Sequence, residues 1–480
     1  MKNFKILLPL LTLFLSLSLS LTSCIEDGVS TSAADQPSFS TDTVRMGSLL
    51  TLGPSPTSRF IVYNRHDKIM NISDIAFRDD DAGQFRINVD GMSGRRFSNV
   101  EVRPNDSIFV FVEATLAENG KNVPVDVLAH IDFRVNGVTS SMPVKAQGQD
   151  VTRLKGNTRF TGEATLSPDK PYLVNDSLVV EQEATLTLPA GTRLLMHDDA
   201  AIIVHGTLRI EGSVEKPVEI TGDRSGFVAA SIPYEVMSGQ WRGIRFFPTS
   251  SGNLFSHASI RNSEEGLILD HRGGTTGYPA LTLHNSVVRN TKNYVVEAIH
   301  SSLVAVGCEL TDASLGILRL VGSEHLVSQC TLGNYYLFTA IGGPALRMEH
   351  VDPDDTDEPE PENPADKELP WLTADISNTI IYGLGPDISH GDLTGLPVML
   401  RNCLLKSAGS DDENFINCLW DTDPLFGVWR DGYIFDYRLA AESPAIGAGD
   451  PSLLSPVAET DMLGAPRGGN PTLGAYQEPR

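Results

Sequence analysis

The chain has 480 residues, 41% of them hydrophobic, which is enough for a sizeable buried core and two to four domains. Its formal net charge is −24, and no stripe of Lys and Arg is visible. That excludes an ordinary nucleic-acid binder, because phosphate recognition needs clustered cations.

At the N-terminus, Lys2 and Lys5 precede an apolar run from Ile6 to Leu21 that is relieved only by Pro, Thr and Ser. A cationic flank, a short apolar segment and small residues then predict a secretory signal over residues 1–23, not a membrane-spanning helix. The ending Leu21-Thr22-Ser23-Cys24 resembles the lipobox of bacterial lipoproteins. The resemblance implies that Cys24 becomes the first mature residue and carries acyl chains. Each buried methylene contributes about 0.8 kcal/mol, so several chains anchor a protein stably. Glu26 and Asp27 follow at once and look like the acidic signal with which some lipoproteins reach the outer face of the outer membrane. The expected address is therefore the bacterial cell surface, with the membrane as a partner through lipid.

Residues 24–42 are rich in Ser, Thr, Asp and Ala without apolar periodicity and read as a flexible tether. From 43 to 150 the pattern alternates, as in Phe60-Ile61-Val62-Tyr63, Phe85-Arg86-Ile87-Asn88-Val89 and Ile108-Phe109-Val110-Phe111-Val112. Asn136-Gly137 marks a hairpin. Short strands at near-regular spacing predict an immunoglobulin-like β-sandwich. Asn64, FRINVDG, PNDSIFVFVE and VKAQGQD resemble the spindle-associated and choice-of-anchor Ig-like modules of bacterial surface proteins, which implies a spacer or interaction platform.

From Val151 short apolar strands alternate with glycine. Ser259, Ser286, Cys308, Cys330, Thr379 and Cys403 stand in similar contexts, spaced by 27, 22, 22, 49 and 24 residues. A period in the low twenties with β-forming triplets predicts a solenoid, and the missing leucine ladder favours a parallel β-helix over 151–410. Equivalent residues would stack about 4.8 Å apart, so the six form an internal ladder of small side chains. A disulfide or a metal site is the alternative, but stacked side chains point the same way and suit a disulfide poorly. Cys418 lies outside this ladder, either free or paired with Cys403. The runs LTLPAGTRL, AIIVHGTLRIEGS, PVEI and WRGI resemble the opening coils of right-handed parallel β-helix repeat proteins.

Residues 350–370, HVDPDDTDEPEPENPADKELP, carry nine acids and five prolines and read as a solvated loop rather than a calcium site. Residues 411–480, with DPLF, SPAIGAG, DMLGAPR and LGAY, resemble the choice-of-anchor Q domain that ends many bacterial β-helix proteins. In that role the segment would be a loop-rich cap covering the last coil, its Asp and Arg residues fixing loops.

For catalysis, Asp198-Asp199 beside His197 is the most tempting carboxylate pair, but it falls in a turn. Arg242, Arg245, Asp270, His271 and Arg272 fall at coil edges with no repeated register, and His390-Gly391-Asp392 is isolated. No cofactor, metal site or catalytic residue is expected. The expectation is a non-catalytic, lipid-anchored surface protein whose solenoid face binds glycans or proteins. The alternative is a polysaccharide lyase or glycoside hydrolase on the same face.

Overall fold

The computed structural model describes residues 28–78, 83–228, 231–270, 280–351 and 371–480. Cys24, Glu26, Asp27, the signal segment, His271, Arg272 and residues 352–370 of the acidic loop lie outside them. The chain forms two compact units, residues 1–150 and 151–480.

In the first unit a five-stranded and a six-stranded sheet enclose one core in which Phe60, Met70, Ile75, Phe85 and Phe133 are fully buried. Strand Val125–Val135 turns through Asn136 and Gly137, both at positive φ, into Val138–Gln149. Buried Asn64 donates its side-chain amide to the carbonyls of Lys68, Val102 and Arg103, closing one end of the sandwich. The expected tether needs correction from Gly28 onward. Ser38–Phe39 pairs with Val62 and Tyr63, Val29 bridges Ile69, and the Phe39 ring packs 5.2 Å from Phe133. Backbone pairing and one apolar ring, Phe39, are enough to dock a polar stretch, and composition alone hid them.

The second unit is a parallel β-helix. Each full coil contributes one strand to each of three parallel sheets. Sheet 1 has ten strands, from Thr152–Leu154 to Leu404–Leu405; sheet 2 has nine, from Thr158–Phe160 to Ile388–His390; sheet 3 has ten, from Glu163–Thr165 to Phe415–Ile416. The prism is filled by stacked Leu, Ile and Val, with Trp241, Phe246 and Phe255 in the widest rungs. The Trp241 indole N–H donates to the Arg261 carbonyl at 2.7 Å, which fixes the WRGI turn.

From the fourth coil onward the chain passes from sheet 3 to sheet 1 through a single residue in the left-handed region, whereas the first three corners, after Thr165, Pro189 and Glu211, are longer. His257, Asn285, Gly307, Gln329, Asn378, Asn402 and Asn417 hold this place, at φ from 45° to 70°. Asn and Gly tolerate that conformation best. The residues that follow are Ala258, Ser286, Cys308, Cys330, Thr379, Cys403 and Cys418. Pairing places Val287 opposite Ser259, so Ser259 is one residue out of register and the ladder member is Ala258. Cys418 belongs to the ladder, correcting the reading that left it outside.

Size alone does not explain the ladder. Each hydroxyl or thiol donates to the carbonyl two residues earlier: Ser286 to His284 at 2.7 Å, Cys308 to Val306, Cys330 to Ser328, Thr379 to Ser377 at 2.8 Å, Cys403 to Arg401 and Cys418 to Ile416. Three of them also accept a backbone N–H from the preceding coil, from Ala258 to Ser286, Cys308 to Cys330 and Cys330 to Thr379. Sharp corners strand polar backbone groups in a dry interior, and a short side chain that both donates and accepts satisfies them.

The last half-coil closes the core with Phe415 and Trp420, rings 5.2 Å apart. The segment beyond Thr422 does not sit as a lid on that end. It runs as a strap along the outer face of sheet 1, because that face is apolar where the strap crosses it. Leu439, Ala445 and Leu473 pack on outward-facing Ile380 and Leu404. The Asp461 carboxylate accepts the N–H groups of Leu463, Ala465 and Gln477, and the buried Arg467 donates to the carbonyls of Thr472, Gly474 and Ala475. Tyr437 lies over Gly333, where a Cβ would come 2.3 Å from the ring, and donates its hydroxyl to Asp312 at 2.5 Å. Tyr476 donates to Glu309 at 2.5 Å.

Native protein is expected to leave Cys308, Cys330 and Cys403 unmodified by thiol reagents, at least about 100-fold slower than after denaturation, because their thiols are buried. Peptide mapping after timed alkylation reads this; rapid native labelling of any of the three contradicts the stacked interior.

Burial raises the Asp312 carboxyl from 3.8 to about 7, opposed by the hydrogen bond from Tyr437. A value raised in the folded state means a contribution present in full below the unfolded value and lost as pH rises through about 7. The loss is at most roughly 4 kcal/mol. The unfolding midpoint of the β-helix unit is therefore expected to fall between pH 5 and pH 8 by about several degrees. Asp312→Asn keeps the acceptor and removes the charge, so the fall should flatten; an equally steep fall in this variant places the effect elsewhere.

Candidate functional site

Sheet 2 carries outward side chains in two adjacent columns. Pairing sets the first as Arg159, Val179, Ile203, Arg245, Ile268, Glu297, Arg319, Arg347 and Ser389. The second, reached by the next outward position of the same strands, includes His205, Phe247, Asp270 and Glu349. Sequence reasoning placed Arg242, Arg245 and Asp270 at coil edges without a common register. The structure corrects this, since Arg245 and Asp270 face outward on adjacent strands, 3.9 Å apart.

The charges are linked along and across the columns. Glu265 accepts from Arg242 at 3.1 Å and from Arg245 at 3.4 Å. Its hydrogen bond holds the Arg242 guanidinium above its ordinary value. Arg319 pairs with Glu297 at 2.6 Å and with Glu349 at 3.7 Å, and Glu349 pairs with Arg347 at 2.7 Å. The Arg319 side chain is only 4% exposed whereas that of Arg245 is 40% exposed, so the row runs from a buried anchor to an open end. At that open end the His205 and Phe247 rings stack with centroids 4.3 Å apart, both half-exposed. Six successive strands, from Ala201–Val204 to Leu346–Glu349, carry this row over about 24 Å.

Four arginines (242, 245, 319, 347) face four carboxylates (265, 270, 297, 349), so the row itself is balanced on a chain of charge −24, with Asp199 and Glu264 adding negative charge beside Arg242. Each carboxylate contacts at least one guanidinium. Glycoside cleavage needs one carboxyl to deliver a proton and a second to attack or to activate water. In the row the four carboxylates serve as ion-pair partners. What the row offers instead is a dense alternation of donors and acceptors beside an aromatic surface.

Of the other sequence candidates, Asp199 stands beside the row, since the Ala200 carbonyl accepts the Arg242 N–H and the Asp199 charge adds to that of Glu265 on Arg242. Asp198 and Asp199 are exposed in a turn, with Asp198 at φ 49°, and His197 bonds Asp223 at 2.7 Å. His390 contacts the Gly391 carbonyl, and Asp392 accepts from the Thr394 N–H, whose hydrogen bonds hold its carboxyl below the ordinary value. Among the described residues no three His, Cys, Asp or Glu side chains group to hold a metal, and no helix is long and apolar enough to cross a membrane.

Sequence reasoning missed His205, Phe247, Glu297, Arg319, Arg347 and Glu349. A signal existed for two of them. Glu297 and Arg319 each stand 11 residues before a ladder cysteine, Cys308 and Cys330, a fixed offset that puts both on one face.

No protein-family model matches the chain, and no curated protein matches it. A similar solved structure is a family 123 glycoside hydrolase from Clostridium perfringens, described in a study of glycolipid glycan hydrolysis. Identity is 11% and the TM-score 0.18, covering 26% of each chain, so this chain spans about a quarter of that structure's length. A likeness of that size has no bearing on what the chain binds or does.

Proposed function

We propose that the protein is a non-catalytic, lipid-anchored binding protein of the bacterial cell surface, whose β-helix offers the outer face of sheet 2 to a neutral glycan. The observation that carries this reading is the ion-paired row beside the His205–Phe247 stack. Neutral sugars present hydroxyl groups that both donate and accept, and paired guanidinium and carboxylate groups complement both at fixed spacing. Half-exposed rings supply the apolar surface that orients a ligand. An anionic polymer would meet no net local attraction on this face and a repulsive chain around it.

Acylation of Cys24 supplies the anchor in this reading, and the N-terminal sandwich acts as an Ig-like spacer. Only three residues separate Cys24 from Gly28, where the described chain begins, a reach of at most about 14 Å over the four steps. The sandwich is then held close to the lipid surface.

With the full chain, a panel of neutral and acidic polysaccharides tested by affinity electrophoresis should show retardation by a neutral member. Phe247→Ala and Arg245→Ala should each weaken it about tenfold, the scale of losing one well-placed contact. New reducing ends or unsaturated products that vanish with Glu265→Gln or Glu297→Gln would replace binding with catalysis. Separately, Cys24→Ala should move the protein from the membrane fraction to the soluble fraction; unchanged sedimentation with membranes would remove the lipid anchor from the reading.

A further inference from the structure

Two pairs of cysteines occupy adjacent rungs of the same ladder, and they differ only in their place along the stack. Cys308 and Cys330 lie between full coils, with the Cys308 N–H donating to the Cys330 sulfur at 3.4 Å and Thr379 on the next rung. Both are fully buried. Cys403 and Cys418 form the last two rungs. Cys403 is fully buried, but Cys418 is half-buried, on a half-coil that pairs with the coil before it through Phe415–Ile416 and Leu419 and carries no further coil on its other side among the described residues. Their thiols donate to carbonyls, Cys403 to Ile376 and Arg401, and Cys418 to Leu400 and Ile416.

We propose that Cys403 and Cys418 form a redox-active dithiol at the C-terminal end of the β-helix, closed to a disulfide by exchange with a low-molecular-weight disulfide. Stacked rungs lie about 4.8 Å apart at Cα, inside the range of disulfides. Their parallel Cβ atoms are separated by a similar distance, whereas a disulfide needs about 3.8 Å, so one rung must move by about 1 Å. Cys308 and Cys330 are gripped by coils on both sides and cannot make that move. Cys418 can, because no further coil pairs with its own. It is also the thiol that a reagent reaches, and its interaction with Cys403 lowers its pKa while burial raises those of Cys403 and Cys308.

The step balances without any other oxidant. The Cys418 thiolate attacks one sulfur of R–S–S–R, the S–S bond breaks, and R–S⁻ leaves and takes up a proton. Cys403 then loses its proton and displaces the second R–S⁻ from the mixed disulfide. Two electrons pass from the cysteine pair to the reagent, giving two R–SH and one internal disulfide. The closed link spans 15 residues, from 403 to 418, and pins the end of the core under Phe415 and Trp420.

The test uses the full-length chain and oxidised glutathione, read peptide by peptide so that Cys24 does not interfere. The expected result is a Cys403–Cys418 linked peptide, lighter by about 2 Da than the two thiols and restored by dithiothreitol, with Cys308 and Cys330 still reduced. In Cys403→Ser the reaction should stop at a glutathione adduct on Cys418; in Cys418→Ser neither adduct nor link should form. Serine suits this position, since Ser286 and Thr379 fill it in other coils. A stable glutathione adduct on Cys418 in the unaltered chain overturns the proposal, as does a Cys418 that fails to react in the native protein or a Cys308–Cys330 link formed at the same rate.

Discussion

The structure depends on one repeated hand-over of hydrogen bonds at the corner between sheets 3 and 1. There the backbone turns through a left-handed residue whose N–H reaches the next coil, as Asn285 does to Val306 and Asn378 to Arg401. The following side chain ties off the carbonyl two residues back. Parallel coils have no hairpin to set their register, so something in each coil must mark where its strands begin. In six of the later coils the left-handed residue followed by a small hydroxyl or thiol is that mark, and Ala258 takes the place after His257. Serine, threonine and cysteine interchange there because each is short and each donates, which a valine of similar size does not.

That single register decides what every outward position faces. Because coils differ in length, residues far apart in the sequence arrive side by side: Arg319 and Arg347 are 28 apart, Arg245 and Ile268 are 23 apart, yet all occupy one column. The same register exposes Ile380 and Leu404 on the outside of sheet 1, where apolar side chains would otherwise meet water. The C-terminal strap exists to cover them, and its polar ties to Asn378, Thr331, Asp312 and Glu309 fix its path along several coils. Burial of two carboxylates beneath tyrosine hydroxyls is the cost of that path, and it falls most heavily on Asp312, whose second oxygen finds no partner among the described residues.

The interior was legible in the sequence and the surface largely was not. Spacing of small residues revealed coils and a core ladder, because a solenoid repeats its interior demands in every turn. It failed at Ser259, where the coil is one residue longer than the simple spacing assumed and only pairing identifies Ala258. It failed at Cys418, which arrives after 15 residues instead of the usual twenty or more because the last coil is incomplete. The tether was misjudged over residues 28–42 because the Phe39 ring and the backbone bridge at Val29 dock a stretch that looks polar on average. The ionic row on sheet 2 was invisible for a different reason. Outward positions repeat no residue type, so Ile268, Glu297 and Arg319 share a column while sharing no chemistry, and the offset from the inner ladder aligns only Glu297 with Arg319.

Stacking also explains why the sheet 2 row is balanced. Two like charges on adjacent rungs, about 4.8 Å apart, repel by roughly 3 kcal/mol at an effective dielectric near 20. A column can therefore carry charge on consecutive coils only if signs alternate or a neighbour intervenes. Glu297 and Arg319 alternate. Arg319 and Arg347 do not, and Glu349 in the second column contacts both. Arg242 and Arg245 share Glu265 in the same way. Every guanidinium placed on this face thus draws a carboxylate to it, and the array that results has little net field but a high density of oriented donors and acceptors. Such a surface discriminates ligands by the geometry of their hydroxyl groups and not by their charge, which is the property that the proposed glycan face requires.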